Sequence, residues 1–91
     1  MPMNRETFEA ELRRQGYGEI TLVERPALAA LGEHTHPFEA HALILEGDIS
    51  IRCVGAEEKT YRAGDVFHLA KAVPHLESYG PQGVRYVVGR R

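Results

Sequence analysis

The chain has 91 residues, 43% hydrophobic and 26% charged, enough for one folded domain with its own core and too few for two. Eleven basic against thirteen acidic residues leave a formal net charge of −2, so the basic excess that grips a nucleic-acid backbone is missing. A lone cysteine, Cys53, excludes an internal disulfide and every two-cysteine metal or redox motif, and no apolar run is long enough to span a membrane as a helix.

The opening Met1-Pro2-Met3-Asn4-Arg5-Glu6 is polar and has no apolar stretch of the kind a secretion signal needs, so a cytoplasmic location is expected. A short helix follows. Asn4 is a natural N-cap, Glu6, Glu9 and Glu11 suit the positive end, and Arg13 and Arg14 suit the negative end. Phe8 and Leu12 share one face, and Gly16 suits the position just past the last turn. This narrow apolar stripe predicts a helix lying on the surface of something larger.

After Gly18 the period changes to two. Ile20 and Leu22 alternate with Thr21 and Val23, and Pro26 ends the run. Ala40 to Leu45 is apolar apart from His41, Glu46-Gly47-Asp48 reads as a tight turn, and Ile49, Ile51 and Cys53 alternate with polar residues. Turn signals recur at Gly55-Ala56-Glu57-Glu58, Gly64-Asp65 and Gly80-Pro81-Gln82-Gly83, separating Lys59-Thr60-Tyr61, Val66 to Leu69, Pro74 to Ser78 and Val84 to Val88. About eight short strands after one helix predict an all-β antiparallel sandwich or barrel. The expected layout is one domain over 1–91, with a helical segment at 1–18 and a β-barrel at 19–91. The buried face of such a barrel lines either a packed core or one ligand pocket.

Five histidines stand at His34, His36, His41, His68 and His75. His34 and His36 are two apart, so on a strand both rings point to one side, where two imidazoles can reach one ion. The block "GEHTHPFEAHALILEG" contains this pair and Gly47; the block "GDVFHLAKAVPHLESY" contains Gly64, Pro74 and His75. Together they resemble the two motifs of the cupin family, small jelly-roll barrels of the double-stranded β-helix type. His34, His36 and Gly47 are in register with the first motif, and Gly64 and His75 with the second.

The resemblance implies metal ligands at His34, His36 and His75. The family's ligand glutamate falls on Ala40, flanked by Glu39 and His41. The second motif has Ala70, Ala72 and Tyr79 where Pro, Gly and Asn are usual. Three readings stay open. The three histidines hold a divalent transition metal alone, which favours zinc, iron, nickel or copper; or a bulge near Pro37 turns Glu39 or His41 inward as a further ligand; or the rings line a polar pocket with no metal. The sequence shows no obvious carboxylate to hold each ring from behind; Glu33, Glu39 and Glu77 are the nearest in sequence.

Phe38, His68 and Tyr79 are candidate pocket-lining residues, and Tyr79 and Tyr86 supply phenols for packing or for the barrel mouth. Cys53 reads as a small apolar residue. The resemblance implies a small-molecule ligand, a homodimer, and dioxygenase, isomerase or decarboxylase chemistry. The alternative is a non-catalytic binding or sensor barrel without an essential metal.

Overall fold

In a computed structural model, which describes residues 4–91, the chain folds as α1 (Arg5–Arg14), β1 (Glu19–Arg25), β2 (Ala30–His34), β3 (Ala40–Cys53), β4 (Lys59–Arg62), β5 (Val66–Leu69) and β6 (His75–Arg90). Residues 1–3 of the expected helical segment lie outside the described residues. No described helix is long and apolar enough to cross a membrane.

The helix begins and ends where its capping residues stand. The Asn4 Oδ1 accepts from the Thr7 backbone N–H at 2.8 Å. At the other end Gly16 adopts φ +87°, and the Tyr17 N–H returns to the Leu12 carbonyl at 2.9 Å. Phe8 and Leu12 are buried, as is Tyr17.

The strand count differs from the sequence expectation. The Glu46-Gly47-Asp48 and Gly80-to-Gly83 signals do not end strands; each lies inside one long strand, β3 of 14 residues and β6 of 16. These glycines bend the strands instead of reversing them. Gly47 and Gly83 both have φ +72°, and the β3–β6 register shifts between Ile44 and Glu46 and again between Gly47 and Ile49. Each long strand thereby serves two leaves. The first half of β3 and the second half of β6 pair with each other, with β5 and β1 on the outside. The second half of β3 and the first half of β6 pair likewise, with β4 and β2 outside. All pairings are antiparallel, which makes a two-leaved jelly roll.

Between the leaves lies the main core, including Ala42, Ile44, Ile49, Ile51, Phe67, Tyr79, Tyr86 and Val88. A second cluster, Phe8, Leu12, Tyr17, Leu43 and Val87, sits on the outer face of the first leaf under α1. That leaf is buried on both faces, so Leu43-Ile44 and Val87-Val88 put adjacent apolar residues on opposite sides. The helix approaches closely at Gly89, where a Cβ would meet the Leu12 and Tyr17 side chains at 2.9 Å.

Candidate functional site

One end of the barrel gathers His34, His36, His75 and Glu77, whose potential ligand atoms all lie within 4.8 Å of one another. Strand pairing assembles them. His34 closes β2 and His75 opens β6, and the two are direct cross-strand partners. Glu77 is two residues beyond His75, so it shares the inward face. His36 comes from the β2–β3 connection, where its carbonyl accepts from the Ala72 N–H at 2.9 Å. Its ring stacks on Phe38 at a centroid distance of 4.9 Å. Ring centroids separate by 4.2 Å for His34 and His75, 5.0 Å for His34 and His36, and 5.2 Å for His36 and His75.

Burial differs across the cluster. His75 is 1% exposed and Glu77 8%, while His34 and His36 are half-buried at the open side. The Glu77 Oε2 lies 3.0 Å from the His34 Nε2 and 3.2 Å from the His75 Nε2. Its Oε1 accepts from the Tyr79 hydroxyl at 3.1 Å. Burial, reinforced by the neighbouring His34 and His75 rings, pushes the His36 pKa down, so its neutral form is favoured.

These donors fit a divalent cation. The Nδ1 atoms of His34 and His75 face the Gly32 and Val73 carbonyls at 2.7 Å and 3.0 Å. A carbonyl only accepts, so each Nδ1 carries the proton and each Nε2 turns to the cluster, the arrangement that orients ligating imidazoles. A carboxylate beside three ring nitrogens also supplies negative charge that a cation would neutralise.

Beside the cluster opens a cavity of about 100 Å³, with His34, His36 and Glu77 at one end. Arg25, Tyr86 and Arg90 also line it, and Phe38, Phe67 and Leu69 are among its apolar walls. Tyr79 is buried behind Glu77 rather than on the cavity wall.

Three expected candidates lie elsewhere. Ala40 and Ala42 face the barrel interior, so strict alternation sends Glu39 and His41 outward, and Pro37 introduces no bulge that reverses them. His41 packs against Phe8 and Tyr17 under the helix, with ring centroids at 5.2 Å and 5.8 Å. Glu39 is held by His68 and by Arg91. His68 lies opposite His41 on β5 and shares its outer face, while Phe67 and Leu69 on either side of it point into the cavity.

Glu77 is the cluster member that sequence reasoning missed, where it stood only as one of the carboxylates nearest the rings in sequence. The signal was the His75-Leu76-Glu77 spacing, which puts two donors on one face of a strand.

A family model described as a cupin domain matches residues 18–79. The chain belongs to the cupin family. No curated protein matches this cupin in sequence. Among solved structures it resembles the DMSP lyase DddQ from Ruegeria pomeroyi, with TM-score 0.72, 24% identity and 79% of this chain covered. The match spans 36% of that lyase's length. A DUF861 family protein from Thermotoga maritima aligns over 98% of this cupin and 93% of its own length, at TM-score 0.70 and 13% identity. A cupin-2 domain protein from Shewanella frigidimarina aligns over 79% and 69%, at TM-score 0.65 and 19% identity. These likenesses establish the fold.

Proposed function

We propose that this cupin, a single domain over 1–91, binds one divalent transition-metal ion through His34, His36, His75 and Glu77 and takes a small molecule in the adjoining cavity. The observation that carries the reading is the convergence of three imidazoles and one buried carboxylate within 4.8 Å at the end of a cavity. The carboxylate widens the choice of ion, because a mixed nitrogen and oxygen set suits iron and manganese as well as zinc, nickel and copper. A bound ion would supply Lewis-acid or redox chemistry. The protein's own part is to orient the ligand: Phe38, Phe67 and Leu69 wall its apolar body, and the half-buried His34 and His36 leave the open side for entry. Oxygenase or isomerase chemistry on a small organic molecule is the enzymatic form of this reading. A homodimer paired along the free edge of β1, where Leu22 is 37% exposed, and a cytoplasmic location complete it.

A non-catalytic binding role is the second reading. It is favoured by the commitment of Glu77, the one carboxylate on the cavity wall among the described residues, to the cluster and Tyr79, which leaves no second carboxylate among them there as a general base.

Elemental analysis of the purified protein tests the metal. A stoichiometric transition metal, lost in His36→Ala, is the expected result; equal trace metal in both proteins would overturn it. Oxygen uptake by the loaded protein with a panel of thiols and diketones then separates the enzyme from the binder.

A further inference from the structure

The cavity is lined by polar groups that the metal reading does not use. Tyr86 is 8% exposed and lines the cavity, yet its hydroxyl has no hydrogen-bond partner among the described residues. Tyr79 differs, since its hydroxyl is spent on Glu77. The Tyr86 hydroxyl is not sealed from solvent, so it is open to whatever enters the cavity, as donor or acceptor. Burial first, then the Glu77 charge, pushes the Tyr86 pKa up to about 12, so at neutral pH this group is a donor.

Arg25 supplies the charge. It ends β1 on the same side as Val23, which packs on the main core, and it lines the cavity. It makes no ion pair among the described residues. The other arginine at the cavity is engaged: Arg90 pairs with Glu19 at 3.5 Å and lies over the Phe38 ring at 4.9 Å.

We infer that Arg25 and Tyr86 form an anion-binding end of this cavity and that its ligand is a small organic carboxylate. A guanidinium matches a carboxylate through paired N–H donors, and a phenol adds another. Apolar walls at Phe38, Phe67, Leu69 and Val88 suit an organic body better than inorganic phosphate. At about 100 Å³, and roughly 10–15 Å³ per water-sized position, the space takes an acid of up to about ten heavy atoms. The inference rests on the proposed function only for the far end of the ligand, which would meet the metal cluster.

The test is an NMR titration of metal-stripped protein with propionate and with propionamide at neutral pH. Using stripped protein separates this outcome from the metal question, which elemental analysis answers by itself. Propionate is expected to bind saturably and propionamide about tenfold more weakly, since hydrogen bonds to charged groups are the stronger class. Arg25→Gln should weaken propionate about tenfold, Tyr86→Phe severalfold, and Arg90→Gln less than either. Equal affinity for acid and amide, no saturable shift with propionate, an unchanged affinity in Arg25→Gln, or a larger loss in Arg90→Gln would each overturn the assignment.

Discussion

Glu77 divides its two oxygens between neighbours. Oε2 faces the His34 and His75 rings, and Oε1 is held by the Tyr79 hydroxyl. Tyr79→Phe removes that donor and leaves a buried carboxylate oxygen unsatisfied, at a cost of about 1–3 kcal/mol in urea unfolding. Metal affinity should also fall at least about tenfold, because the carboxylate loses its orienting partner; an affinity equal to wild type in a metal titration would show that Tyr79 does not orient Glu77. A second residue carries strain. Ala72, where cupins usually have glycine, sits at φ +62° in the loop that holds the His36 carbonyl. Ala72→Gly relieves the Cβ conflict and should raise stability by about 0.5–1 kcal/mol, read as a higher urea midpoint; a lower midpoint would mean that the loop tolerates this conformation without strain. Local spacing is enough to show that His34 and His36 share a face. Placing Glu77 beside His34 needs the cross-strand pairing of His34 with His75, a long-range register that no local pattern states. The bulge expected as one option at Pro37 fails for a related reason: only the packing of Ala40 and Ala42 inside decides where Glu39 and His41 point.

At the scale of elements, the helix is legible because its ends are written in single residues, Asn4 and Gly16. The long strands are not. A positive-φ glycine serves a hairpin and a bend equally well, and only the partner strand distinguishes them. The helix docks over His41, whose pKa is pushed down by burial first, then by the His68 charge, with Arg91 adding to the fall. Glu39 and Glu11 oppose it. The folded state therefore resists a proton that the unfolded chain accepts near the ordinary value of 6.5. His41 does not oppose folding above that pH, and its linkage lowers stability as pH falls through 6.5 toward the depressed folded value. In His41→Phe the drop in melting temperature between neutral and mildly acidic buffer should be smaller than in wild type. An equal drop would place the pH sensitivity elsewhere.

For the whole molecule, β3 and β6 each run through both leaves, and their crossing sets the leaves at the distance that forms the cavity. The crossing is tight. A Cβ on Gly47 would stand 2.0 Å from the Gly83 carbonyl oxygen, and a Cβ on Gly83 would stand 2.4 Å from the Arg25 carbonyl oxygen. Both obstacles are backbone, so no rotamer change relieves them. Gly55, on the β3–β4 turn, provides the control, because it too has positive φ, +87°, but a Cβ there would meet nothing within 4 Å. Gly55→Ala should therefore cost only the left-handed strain, about 1–2 kcal/mol. Gly47→Ala adds displacement of one leaf against the other, and its total cost should exceed about 4 kcal/mol, in the range reserved for named structural defects. Urea unfolding of the two variants side by side measures the difference. Because the same displacement moves Arg25 relative to β6, any folded fraction of Gly47→Ala should also show an altered cavity, seen as shifted Tyr86 ring resonances, while Gly55→Ala leaves them in place. Equal costs for the two alanines would mean that the leaves separate freely and that the crossing does not set the cavity.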